Sequence, residues 1–317
     1  MGSLLVAGAA LALIGHAGCT PTADPAPRPL GIATGDETGV YYLLGRTMAD
    51  IFNERVASVH AFAVETTGSG FNVQAVEEGR AQIGFSQADV AYLALQQGTR
   101  LHPMPHQHLR ALAVLYVNAV QVVTRRESDM RELSDLAGRR VGVGASDSGT
   151  EVAAQIILRE QALQQRIHAE PLAFENVASR MQSRAIDAGF VVSSYPVPAV
   201  ARLNAAVGVR LLPVGADLAA RIRAQYPFYR PIVVPDGTYQ SQGGDVPTIG
   251  VDNLLVGRSD LPDELVYQLT RTLFELLPRL SRAHTAAAAI DANNASAAPI
   301  PLHPGAARYY RERELFR

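Results

Sequence analysis

Three strand–turn–helix units follow one another in the first third of the chain, and each turn is built from glycine and polar or hydroxyl residues. In the first, residues 30–33 read as a short strand and Thr34-Gly35-Asp36-Glu37-Thr38-Gly39 as the turn. A helix then starts at about Val40, with Leu44, Met48 and Ile51/Phe52 at helical spacing. The second runs from a strand at 59–65 through Thr66-Thr67-Gly68-Ser69-Gly70 into a short helix carrying Val73 and Val76. The third runs from a strand at 81–86 through Gln87-Ala88-Asp89 into a helix that ends at Gly98. Units repeated in this way argue for a parallel sheet covered by helices. All three turns then fall at the carboxyl edge of the sheet, where open α/β folds hold small ligands. The glycine spacing alone is weak evidence. No Gly-Lys-Ser/Thr follows and no GxGxxG is present, so this is neither a P-loop nor a dinucleotide fingerprint. Read singly, each turn is an ordinary connection using Gly and Thr for turn and cap.

A second α/β set follows. The spacing predicts a short helix at 133–138, a strand at 141–144, the turn 145–150 (ASDSGT) and a helix at 151–163. Strands are expected at 186–192 and 209–214 and a helix at 217–225. Residues 226–242, rich in Pro, Tyr and Gly, read as an extended surface segment. Amphipathic patterning places a helix at 261–277 and a terminal helix at 302–317. Two long apolar runs carry polar breaks: 109–126, interrupted at Val117-Asn118-Ala119, and 246–256, interrupted at Asp252-Asn253. We read them as strands that leave one lobe and enter another. The expected architecture is α/β, two lobes joined by crossing hinge strands, with residues 30–118 and 248–317 in one lobe and 119–247 in the other. That is the layout of a hinged clamshell that closes on a ligand.

The candidate ligand contacts lie in four turns: Thr34, Gly35, Thr38, Gly39 and Tyr41; Thr67, Gly68 and Ser69; Gln87 and Asp89; and Ser148, Gly149 and Thr150. The last is the sharpest. Two hydroxyls and free N–H groups at a helix N-terminus favour an anion such as a carboxylate, although an N-cap alone accounts for the same residues. Tyr195, in Tyr195-Pro196-Val197-Pro198, reads either as part of a rigid loop that helps close the cleft or as a proline-initiated helix start. His102, His106 and His108 have an H-x3-H-x-H spacing, but prolines put them in a loop without an acidic or Cys partner. We read them as solvated and expect no metal. No G-x-S-x-G is present, no cysteine lies beyond Cys19, and no catalytic residue or cofactor is expected.

With 48% hydrophobic and 18% charged residues and a net charge of −2, nothing points to nucleic acid. The apolar run 3–14 is too short to span a bilayer. Followed by small residues and the Pro-rich stretch TPTADPAPRP (20–29), it has the pattern of an export signal. Ala17-Gly18-Cys19 is similar to a bacterial lipobox, which makes Cys19 a lipidation candidate, although no positive charge precedes the apolar run and His16 stands where leucine is usual. Residues 1–29 are accordingly set apart from the fold as leader and linker.

These motifs, in this order, resemble the TAXI family of extracytoplasmic solute receptors, the binding-protein components of one class of TRAP transporters. The resemblance rests on TGVYYLLG (38–45), ETTGS (65–69), QADVAY (87–92), LRALAVLY (109–116), LSDLAGRRVGVGASDSGTEV (133–152) and IDAGFVVSSYPVPAV (186–200). It continues in YPFYRPIVVPDGTY (226–239), VPTIGV (246–251) and LHPGAARYY (302–310). It implies a type II periplasmic binding-protein fold, a periplasmic or extracytoplasmic location, and a non-enzymatic role. The protein would capture a small organic acid or amino acid, glutamate- or glutamine-like or a dicarboxylate, and hand it to a TRAP-type membrane permease. Three motifs depart from the family pattern: Asp36 and Glu37 charge the opening loop, Ala88 replaces a hydroxyl, and Ser193-Ser194 add two. An inward-facing Asp36 or Glu37 would disfavour a second carboxylate. The alternatives are a ligand-sensing receptor for a signalling partner and a transferase or lyase on the same clamshell.

Overall fold

The computed structural model describes residues 26–314. Strand β1 (Arg28–Ala33), helix α1 (Val40–Arg55), β2 (Val59–Val64), α2 (Ser69–Glu77), β3 (Ile83–Gln87) and α3 (Ala88–Gln97) form the three expected units. β1 pairs in parallel with β2 and with β3. The helical spacing of Leu44, Met48, Ile51 and Phe52 puts them on one buried face of α1, against Leu30 and Ile32 of β1 and Phe85 of β3. The sheet begins two residues earlier than the sequence suggested: Arg28 and Pro29, assigned to the linker, already pair with Val59 and His60.

Two long strands hold the molecule together. β4 (Leu109–Arg125) and β10 (Val246–Arg258) run antiparallel to each other, with a register shift between Asp252 and Leu254. The pairing of each changes along its length. Residues 253–257 of β10 pair with β3, while residues 246–251 pair with β9 (Tyr229–Val234). From Ala119 onward, β4 pairs with β7 (Ala188–Ser193) and, at its end, with β8 (Val209–Leu212). The partner change therefore falls at Asn118/Ala119 and at Asp252, the polar breaks seen in the sequence. The result is one ten-stranded sheet whose main path is β2-β1-β3-β10-β4-β7-β5-β6, β5 being Arg140–Gly142 and β6 His168–Glu170.

Around the second half of the sheet lie α4 (Gly149–Glu160), α5 (Phe174–Gln182), α6 (Pro198–Val207) and α7 (Ala216–Gln225). Helices α8 (Asp263–Glu275), α9 (Leu277–Ala283) and α10 (Pro304–Glu312) return to the first half. There Val266, Leu269 and Leu273 of α8 and Tyr309 and Tyr310 of α10 join the core of α1. The single helix expected at 261–277 stops at Glu275 because Pro278 restarts the chain in α9. Three elements were not anticipated. β6 is three residues long, α5 buries only Val177, Ala178 and Met181, and β9 contains Pro231. The segment 226–242 is thus partly a strand; Pro231 is tolerated because, among the described strands, β9 pairs with β10 alone.

Gly250 marks how closely the crossing strands are packed. A Cβ built there would lie 2.5 Å from Val117 Cγ1 and 2.7 Å from Ile232 Cδ1. Gly250→Ala should therefore lower unfolding stability by about 1–3 kcal/mol, read as a lower urea midpoint with an unchanged m-value. An unchanged midpoint would show that the crossing has slack.

Candidate functional site

A cavity of about 420 Å³ lies where the two halves of the sheet meet. Five helices present their N-terminal ends to it: α1 at Gly39-Val40, α2 at Gly68-Ser69, α3 at Gln87, α4 at Ser148-Gly149 and α5 at Ala173-Phe174. This follows from the topology, because strands that feed helices at one sheet edge aim the helix starts at one crevice. The first N–H groups of a helix have no intrahelical acceptor, and its dipole leaves that end positive. Only α4 among these five is capped by its N-cap side chain: Ser148 Oγ accepts from the Glu151 amide at 3.1 Å.

Ser148 and Thr150 are oriented by this backbone. The Thr150 hydroxyl accepts from the Val192 amide at 3.3 Å, as Ser148 accepts from Glu151. A hydroxyl whose lone pair is used in this way keeps its O–H for a further acceptor. Gly70 and Gly149 allow the halves to approach. A Cβ on Gly70 would lie 2.5 Å from the Asp147 carbonyl oxygen, and one on Gly149 would lie 2.4 Å from the Gln87 amide carbon. Across the same seam the Phe71 amide donates to the Asp147 carbonyl at 3.2 Å, and Arg100 pairs with the Asp147 carboxylate.

The cavity floor is a buried polar network on the crossing strands. Tyr41, stacked on Phe85 with centroids 5.0 Å apart, donates through its hydroxyl to Asn253 Oδ1. Burial pushes the Tyr41 phenol well above its ordinary pKa, so the hydroxyl remains protonated. Asn118 Nδ2 donates to the same Oδ1 at 2.9 Å, and Asn253 Nδ2 donates to the Tyr116 carbonyl at 3.0 Å. The Oδ1 of Asn118 and the Oε1 of Gln87 are buried with no hydrogen-bond partner among the described residues. The remaining wall is apolar, with Val40, Phe71, Phe174 and Val192, while Asp36 and Glu65 supply carboxylates. No Arg or His lines the cavity among the described residues.

Ten of the fourteen sequence candidates line this space: Gly35, Gly39, Tyr41, Thr67, Gly68, Ser69, Gln87, Ser148, Gly149 and Thr150. Four are placed elsewhere. Thr34 continues the alternation of β1 toward α1, its methyl filling the space beside Gly45, and its hydroxyl donates to the Val64 carbonyl at 2.6 Å. Thr38 donates from its amide and hydroxyl to Asp36 Oδ1, a local turn. Tyr195 donates to the Val233 carbonyl at 3.2 Å. Asp89 is the second residue of α3 and accepts at 2.6 Å from the hydroxyl of Tyr229 on β9. Asp36, Glu65, Phe71, Asn118, Phe174 and Ser193 line the cavity without having been chosen as contacts. Asn118 was visible only as a polar break in an apolar run, and Phe174 belongs to the helix that was not anticipated.

The histidine loop is not uniformly solvated: His106 is buried, its ring packed edge-on against His102 with centroids 5.2 Å apart. Among the described residues, no group of three or more His, Cys, Asp or Glu is arranged to hold a metal. Cys19 lies outside the described residues. No described helix is long and apolar enough to cross a membrane.

A ten-stranded sheet in two halves, with a cavity at the seam, is the two-lobe architecture of periplasmic binding proteins. It is similar to the periplasmic binding protein BugD, at 10% identity and a TM-score of 0.58 over 91% of this chain and 94% of that one. It is also similar to a protein of Bordetella bronchiseptica RB50 (18% identity, TM-score 0.53, 91% and 89% covered). A third similar structure is an ancestral arginine-binding protein bound to arginine (13% identity, TM-score 0.50, 82% and 98% covered). At these identities the likeness is one of fold. Residues 32–313 match the NMT1-like family, and the chain belongs to it.

Burial raises the Asp89 carboxyl to about 6, against the pull of the Tyr229 and Val90 donors. A carboxyl whose folded value exceeds its unfolded value favours the folded state when protonated. That contribution is complete below about pH 4 and is lost as pH rises through about 6. Asp89→Asn keeps an acceptor for Tyr229 and removes the ionisation. Its urea midpoint should exceed that of the unaltered protein at about pH 8, the difference closing by about pH 4; a pH-independent difference would contradict this reading.

Proposed function

We propose that this chain is an extracytoplasmic solute-binding protein that captures a small organic acid or amino acid by lobe closure. One lobe would comprise residues 30–118 and 248–317, and the other 119–247. The observation that carries the reading is the convergence of five helix N-termini on one cavity at the seam between the halves, with no cationic side chain there among the described residues. Such a site stabilises negative charge through backbone dipoles and hydroxyl donors alone. Ser148, Gly149 and Thr150 form the carboxylate site, with Gly68 and Ser69 facing them from the other half. Ligand spanning the seam would stabilise the closed arrangement and shift the population toward it.

The export-signal pattern at the N-terminus supports a periplasmic or extracytoplasmic location, with Cys19 as a lipid anchor. The motif resemblance supports a TAXI-type TRAP permease as the membrane partner that receives the ligand. The fold similarity to BugD and to the ancestral arginine-binding protein is compatible with this role and leaves the ligand to experiment.

A thermal-shift series with amino acids, dicarboxylates, 2-oxoacids and short fatty acids tests the proposal. At least one carboxylate should raise the melting temperature, and the gain should grow with ligand concentration as linkage requires. Ser148→Ala combined with Thr150→Ala should weaken that ligand by about tenfold or more, two hydrogen bonds to a charged group being removed. If no acid shifts the melting temperature, the receptor reading fails.

A further inference from the structure

The cavity offers donors on one side and acceptors on another, and hydrogen bonding fixes the orientation of the Asn118 amide. Asn253 Nδ2 donates to a backbone carbonyl, that of Tyr116, which can only accept. Asn253 Oδ1 must therefore be an acceptor, and it takes the Tyr41 hydroxyl. Asn118 meets that oxygen with its Nδ2 at 2.9 Å, so its own Oδ1 is left as an acceptor. Asn118 is 2% exposed and Gln87 also 2%, and the carbonyl oxygens of both lack a donor among the described residues. Both side chains line the cavity, as does Asp36, which is half-buried and uses its Oδ1 for Thr38.

A carboxylate has no hydrogen to give these acceptors, whereas an ammonium has three. A second carboxylate would meet Asp36 and Glu65, and among the described residues no Arg or His lines the cavity to neutralise it. The walls of Val40, Phe71, Phe174 and Val192 suit an uncharged remainder. Resting on the carboxylate-receptor reading above, we infer that the ligand is a zwitterion: a monocarboxylic amino acid with an uncharged side chain. Asn118 of the crossing strand and Asp36 of the first turn recognise its ammonium. Dicarboxylates and amine-free acids are rejected because they leave the buried acceptors unpaired and add like charge to Asp36 or Glu65. The placement of Asn118 at the strand crossing also joins recognition to the hinge: the amide that meets the ligand is hydrogen-bonded to the other crossing strand through Asn253.

Titration calorimetry on the protein decides this. The probes are the common L-amino acids, the amine-free analogue of each that binds (4-methylpentanoate for leucine, propionate for alanine), and succinate and glutarate. The uncharged-side-chain amino acid should exceed its amine-free analogue in affinity by at least about tenfold, and neither dicarboxylate should bind more tightly. Asn118→Ala and Asp36→Asn should each reduce that preference, weakening the amino acid and relieving the penalty on the amine-free acid. Asp36→Asn retains the Oδ1 that holds Thr38, so it carries the test if Asn118→Ala fails to fold. Equal or tighter binding of the amine-free acid or a dicarboxylate overturns the zwitterion inference and leaves the receptor reading standing. Failure of every acid to bind overturns both.

Discussion

The antiparallel pairing of β4 with β10 is the interaction on which the rest of this molecule depends. Neither strand belongs to one half of the sheet. Each pairs with the other for most of its length; midway, β10 exchanges β3 for β9 and β4 takes up β7, so the two halves share a continuous ladder and a joint. A long apolar strand pair would ordinarily be sealed by side chains of one kind. Here the exchange point carries Asn118, Asp252 and Asn253, and the two asparagines are buried. Burying amides is tolerated only when they are hydrogen-bonded. The mutual bond of Asn118 and Asn253, with Tyr41 and the Tyr116 carbonyl, supplies most of that requirement. The one oxygen left over lies on the residue that lines the cavity.

The helix starts follow from the same arrangement. Three parallel units on one side of the crossing and the β5–α4 and β6–α5 units on the other present their helix N-termini to the crevice between them. Close approach of the halves is paid in glycine: Gly70 and Gly149 stand where a side chain would strike the opposite half. On the outer side of α3 the seam is closed by different chemistry, with Tyr92 against Phe228 at 4.7 Å between centroids and Tyr229 donating to Asp89. Asp89 therefore serves the contact between halves, away from the cavity lining.

Much of this was legible in the sequence because it is periodic. The spacing of Leu44, Met48 and Phe52 specified the buried face of α1, and the polar breaks at Asn118 and Asp252-Asn253 marked where strand partners change. Residues in a turn are harder to assign, because their direction depends on where the helix begins. Gln87-Ala88-Asp89 reads as one polar turn, yet the helix starts at Ala88, which rotates Asp89 away from Gln87 and toward β9. Thr34 was counted with the turn although it keeps the two-residue alternation of β1 and faces α1. The contributions of Phe174 and Tyr229 depend on α5 and β9, elements whose short apolar stripe and proline gave little periodic signal.

Solution scattering with and without a bound carboxylate tests the central claim most directly, that the seam closes on a ligand held by converging helix N-termini. The account predicts a smaller radius of gyration on binding, saturating at one ligand per chain, and loss of that compaction when Ser148 and Thr150 are both replaced by alanine. Saturable binding with no change in dimensions would contradict a clamshell closing on its ligand and would describe a rigid pocket instead.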